Sequence, residues 1–129
     1  MKEIVASVTT RITSEQSYDE IRDSISHDLL AYLNNQKIKP VLIPNNPNLA
    51  LSMSDNTDML ILTGGNSVEV PNNFTSSERD YYQSVMVRNS LTFSLIDKFI
   101  KESKPIFGIC HGMQIINKYF GGKNRKTFK

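Results

Sequence analysis

The chain contains one cysteine, Cys110, within Gly108-Ile109-Cys110-His111-Gly112. This G-x-nucleophile-x-G spacing is that of a nucleophile elbow, a turn in which a strand doubles back into a helix with the nucleophile at its tip. Glycines on both sides remove the Cβ atoms that would collide as the chain reverses. The tip also lies at a helix N-terminus, where the partial positive charge favours a thiolate. Free backbone N–H groups there can receive an oxyanion. The alternative for a lone cysteine at a strand end is an inert, buried thiol. The paired glycines, the apolar run before them and the helical pattern after them favour the nucleophile.

A second glycine-rich turn, Thr63-Gly64-Gly65-Asn66, ends another apolar run. A glycine pair lets the backbone approach a ligand closely and turn an N–H inward. Taken alone, it reads first as a tight turn that needs a positive φ. Paired with the cysteine turn, it suggests an oxyanion hole made by the backbone N–H groups of Gly65 and His111, each donor typically worth about 100- to 1000-fold in rate. The chain has two histidines. His111 directly follows the cysteine, and at such a turn its side chain points away from the thiol, so it is not assigned as the base. His27 falls beside apolar positions of a helical segment and reads as a packing or surface residue.

These turns need a scaffold. Ile4 to Val8 is a short β-branched run that suits a first buried strand. From Asp19 to Asn35, Ile21, Ile25, Leu29 and Leu33 recur every four residues, which predicts one helix. Pro40 to Pro44 reads as a second strand, and Asn45 to Asp55 as a loop with one helical turn near Leu49 to Met53. Met59 to Thr63 is a third strand, apolar on both faces, as in the centre of a parallel sheet. A polar loop follows. Tyr81, Val85, Leu91, Leu95 and Phe99 then predict one long helix or two short ones. Ile106 to Ile109 is a fourth strand. Met113, Ile116 and Phe120 mark a last helix, stopped by Gly121-Gly122. Alternating strands and helices point to an α/β fold with a parallel sheet and right-handed crossovers. Ligands in such sheets bind at the carboxyl ends of the strands, where both glycine turns fall.

The 129 residues allow one domain, and 39% hydrophobic with 22% charged residues is ordinary globular composition. A net charge of +2 argues neither for nucleic acid nor for an anionic membrane. The basic end, Lys123, Arg125, Lys126 and Lys129, reads as a solvated terminus. One cysteine excludes an intrachain disulfide and a cysteine-cluster metal site, and fits a reducing compartment. Neither a signal-peptide core nor a membrane-length apolar run is present, so a cytoplasmic location is expected.

Gly108-Ile-Cys-His-Gly-Met-Gln114, with Ile61-Leu-Thr-Gly-Gly65 upstream, resembles the class I glutamine amidotransferase domain. Within that group it is most similar to the γ-glutamyl-γ-aminobutyrate hydrolase, or peptidase C26, branch. Thr9-Thr10-Arg11, Ser77-Glu78-Arg79-Asp80 and Ile115-Ile116-Asn117 extend the likeness over nearly the whole chain. The resemblance implies a flavodoxin-like three-layer fold with a mainly parallel central sheet. It implies that Cys110 attacks the γ-carbonyl of a small-molecule γ-glutamyl amide, that ammonia or an amine leaves, and that water releases glutamate from a thioester. Gly64, Gly65 and Gln114 would contact the substrate, with no metal and no cofactor. Arg79 and Asp80 match more loosely and serve equally well as an exposed helix start.

The family completes its triad with a histidine and an acid beyond the cysteine-bearing helix, whereas this chain stops nine residues after Phe120. The expectation is therefore an N-terminal portion of the domain, 1–129, lacking the C-terminal strands. Its open sheet edge would favour self-association. A synthetase that accepts ammonia is the other partner the resemblance allows, with any acceptor chemistry in that second protein because no P-loop pattern is present. Two alternatives stay open. Cys-His-Gly, together with Gly121 to Thr127, also resembles the intracellular protease and chaperone superfamily of the Parkinsonism-associated protein, in which the cysteine works with an adjacent histidine. A non-catalytic partner module could keep the same fold.

Overall fold

The computed structural model of the chain describes residues 2–15, 17, 20–65 and 70–123. Four parallel strands form the central sheet in the order β4-β1-β5-β6, where β1 is Ile4–Thr9, β4 Ile38–Ile43, β5 Met59–Leu62 and β6 Ile106–Gly108. A separate antiparallel hairpin joins β2 (Arg11–Glu15) to β3 (Glu20–Ser24). The helices are α1 (His27–Asn35), α2 (Pro47–Met53), α3 (Arg79–Lys101) and α4 (His111–Tyr119).

The strands have two buried faces, which makes three layers. On one side Leu60 and Leu62 of β5 pack with Ala50 of α2, Leu91, Leu95, Ile96 and Phe99 of α3, and Ile115 of α4. On the other, Ile61 joins Ala6 and Val8 of β1 beneath Leu33 of α1. This alternation follows from the period of two along a strand. Pro40 sits in β4 opposite Ala6 of β1, and β4 is an edge strand, where the missing N–H is tolerated. The sheet ends on β6 among the described residues, and Phe107 there is 58% exposed.

The predicted helix over Asp19 to Asn35 is a correction. Asp19 itself lies outside the described residues, Glu20–Ser24 is strand β3, and only His27–Asn35 is helical. A spacing of four is same-face in a helix, but four is also an even number, so it is same-face in a strand. Ile21 and Ile25 therefore could not distinguish the two. The boundary is set by Ser26, which caps α1 by accepting from the Leu29 N–H at 3.3 Å. Its hairpin partner β2 packs against α3 and buries Ile12. The helical turn expected near Leu49 extends to Pro47–Met53, with Asn46 as cap and Pro47 at the first helical position.

The helical pattern from Tyr81 to Phe99 is one helix, α3, entered through a capping box between Thr75 and Glu78. Gly121, at φ 84, closes α4, and the Gly121 and Gly122 N–H groups take up the carbonyls of Lys118 and Asn117. Asn66, Arg125, Lys126, Lys129 and part of the Gly121 to Thr127 stretch lie outside the described residues. Among the described residues no helix is long and apolar enough to cross a membrane.

Candidate active site

The carboxyl ends of β1 and β5 are tied together by two threonines. Thr63 Oγ1 donates to the Thr9 carbonyl at 2.8 Å, and the Thr63 N–H donates to Thr9 Oγ1 at 3.0 Å. One strand over, the Ile109 N–H donates to the Leu62 carbonyl at 2.8 Å, carrying β6 pairing one residue past its end. Cys110 then turns the chain, with φ 51 and ψ −107, and α4 begins at His111. A side chain in this region costs about 1–3 kcal/mol and persists only where the surroundings dictate it.

The surroundings do dictate it. A Cβ on Gly112 would overlap the Leu62 backbone and Cβ, so α4 leaves the turn flat against β5. A Cβ on Gly108 would stand 2.7 Å from Ile116 Cδ1 and 2.8 Å from the Gly112 carbonyl carbon. Both flanking glycines are therefore required by contact, as their spacing suggested. The Cys110 side chain at the tip is exposed. Gly64 lies against it, since a Cβ there would be 3.3 Å from Cys110 Cβ and 3.8 Å from Sγ. The two glycine turns, over forty residues apart in sequence, thus meet at the thiol.

Gly65 follows at φ 131, a conformation open to glycine. Gln114 is exposed one turn into α4, and its N–H donates to the Cys110 carbonyl at 3.1 Å. The His111 ring is buried, 3% exposed, with Nε2 3.1 Å from Asn89 Oδ1 of α3. Burial, followed by the nearby Arg88 charge, pushes its pKa from 6.5 down to about 4. This imidazole is a neutral packing group. His27 is exposed at the start of α1.

Two arginines complete the site. Arg88 lies on the apolar stripe of α3, between Val85 and Thr92, and is 1% exposed. Its Nη2 donates to the Thr63 carbonyl at 3.3 Å, to Thr63 Oγ1 at 3.4 Å and to the Gly64 carbonyl at 3.4 Å. Burial, with the Arg11 charge next, lowers its pKa to about 10, so it stays a cation at neutral pH. Sequence reasoning missed it, although a charged residue on the apolar stripe of an amphipathic helix was a readable signal. Arg11, at the start of β2, also lies against Gly65, with Cβ 2.7 Å and Nε 3.3 Å from where a Gly65 Cβ would stand. A cavity of about 250 Å³ opens there, with Ser26, Leu29 and Ile109 joining Arg11 and the two glycines in its walls.

The profile of the Peptidase C26 family matches residues 4–128. This chain belongs to that family. Peptidase C26 places the chain among the class I glutamine amidotransferase-like domains. Among similar proteins, a candidate glutamine amidotransferase of Schizosaccharomyces pombe is 41% identical over 73 residues, 55% of this chain and 28% of the yeast protein. The protein NtpR of Enterococcus hirae is 31% identical over 84 residues, 64% of this chain and 35% of NtpR. A candidate glutamine amidotransferase-like protein, YvdE, of Lactococcus lactis is 33% identical over 75 residues, 51% of this chain and 28% of YvdE. The peptidase C26 chain described here thus matches about a third of the length of these relatives.

Proposed function

We propose that Cys110 is the nucleophile of a γ-glutamyl amide hydrolase, acting on glutamine or a γ-glutamyl amine. The observation that carries this is the exposed thiol on a strained turn, packed against Gly64 at the carboxyl rim of a parallel sheet. In this reading the sulfur attacks the γ-carbonyl carbon, and the oxyanion is received by the N–H groups of Gly65 and His111. Arg88 supports the donor role of Gly65. It holds the Gly64 carbonyl on the α3 side. Across a planar trans peptide the Gly65 N–H points the opposite way. The carbon–nitrogen bond then breaks, the nitrogen leaves with a proton as ammonia or amine, and water cleaves the thioester to glutamate and free thiol.

Gln114, exposed one turn after the thiol, and Gly64 contact the substrate. The general base, typically worth about 100- to 10,000-fold, comes from outside the described residues. The buried, neutral His111 ring bonded to Asn89 gives no support to a mechanism in which that ring acts on the thiol. The protein works in a reducing compartment such as the cytoplasm, where a lone thiol persists. Its remaining strands and base come from a longer chain or from a partner that covers the β6 edge.

Intact-mass measurement after incubation with a panel of γ-glutamyl amides tests the proposal. A glutamyl adduct on Cys110, absent from Cys110→Ala, is the expected result. Wild type that stays unmodified with every amide, at background turnover equal to Cys110→Ala, would favour a non-catalytic module of the same fold.

A further inference from the structure

We propose that Arg11 receives the α-carboxylate of the γ-glutamyl substrate in the cavity beside Gly65, making it a specificity-determining residue of the reaction. This rests on the γ-glutamyl reading above. Arg11 is the charged side chain in the wall of that cavity, and the remaining lining is serine, threonine, glycine and aliphatic. The same cavity is walled by Gly64, which also lies against Cys110 Cβ. Gly64 and Gly65, adjacent in the chain, therefore link the thiol to Arg11: Gly64 meets Cys110 and Gly65 meets Arg11. A γ-glutamyl group carries its α-carboxylate on the far side of an α-carbon and two methylenes from the carbonyl that the thiol attacks, so the carboxylate extends away from Cys110 past the glycine pair.

Charge points the same way. The Arg88 guanidinium reaches Gly65 from α3, with Nη1 3.3 Å from the position of a Gly65 Cβ, while Arg11 Nε stands 3.3 Å from the same position. Two cations thus converge on one residue, and the repulsion is felt at Arg88, where the Arg11 charge is the second cause of its lowered pKa after burial. Asp23 and Tyr81 act in the opposite sense as smaller causes, and the Asp23 carboxylate accepts from Asn45, through the backbone N–H at 3.0 Å and Nδ2 at 2.9 Å. Among the described residues Arg11 forms no ion pair with a carboxylate. A bound carboxylate relieves the repulsion and takes the forked geometry that arginine offers. Substitution at Gly65 is excluded by the same packing, since a Cβ would strike Arg11 Cβ.

The test uses the whole 129-residue chain and a glutamine-mimicking diazoketone, compared with its α-methyl ester. The thiol proton passes to the diazo carbon, sulfur bonds to that carbon, and dinitrogen leaves. Wild type should label faster with the free acid than with the ester, by roughly ten- to hundredfold for a charge-assisted hydrogen bond. Arg11→Gln should bring the ratio close to one, and Arg11→Lys should keep part of it. Alkylation of Cys110 by iodoacetamide, which carries no carboxylate, should be equal in all three, and matching thermal melts would show that the fold is intact. Equal labelling by acid and ester in wild type, or a preference that survives Arg11→Gln, overturns the role of Arg11 while leaving the γ-glutamyl reading standing. Labelling by neither reagent, with iodoacetamide still reacting, overturns both.

Discussion

The buried guanidinium of Arg88 donates to the carbonyl of Gly64, the same residue that rests against Cys110. A buried cation on α3 thus holds the turn that forms one wall of the thiol site. Replacing it with Met should leave the Thr63 and Gly64 carbonyls without this donor, at a cost of about 1–3 kcal/mol in stability. Acylation of Cys110 should slow as well, and Arg88→Lys should restore part of both. Urea unfolding together with the time course of the mass adduct checks this, and a loss of stability with an unchanged adduct rate would limit Arg88 to a structural role.

Strain at the thiol gives a second test. Cys110 holds φ 51 and ψ −107, which glycine adopts freely and alanine does not. Cys110→Gly should therefore be more stable than Cys110→Ala by about 1 kcal/mol, although neither can form the adduct. Equal urea midpoints for the two variants would mean that the turn is relaxed in solution.

The flanking glycines should respond by contact rather than by backbone conformation. Gly112→Ala forces a methyl into the Leu62 backbone and should destabilise the chain by about 1–3 kcal/mol or more. At Gly121 an added Cβ meets nothing within 4 Å, so Gly121→Ala carries the left-handed penalty of φ 84 alone, about 1–2 kcal/mol. The two variants separate further in the acylation assay, where only Gly112→Ala should displace Cys110 and slow the reaction.

Acid should weaken the fold through His111. Its pKa lies near 4 in the folded chain and at 6.5 ordinarily, so the unfolded chain binds more protons between those values. Stability contributed by the neutral ring is full above about pH 6.5 and is lost as pH falls toward 4, by roughly 1–3 kcal/mol. Denaturant midpoints measured from pH 7 to 4.5 should fall for the wild type and fall less for His111→Gln. Parallel slopes would show that the histidine does not titrate with folding.

Local sequence determined the strands around Met59 and Ile106, the stripe of α3 and the requirement for glycine beside Cys110, because each depends on short-range sterics or on a repeat within a few residues. It did not separate β3 from α1, since residues four apart share a face in both conformations. The sheet order β4-β1-β5-β6, the meeting of Gly64 with Cys110, and the convergence of Arg11 and Arg88 on Gly65 were decided by tertiary structure. These contacts join residues far apart in the chain, and their partners are chosen by how the helices pack on the two faces of the sheet. A residue's type alone carries no record of that choice. Arg88 shows both sides, because its place on an apolar stripe was visible in the sequence, and only packing revealed that it reaches the Gly64 carbonyl.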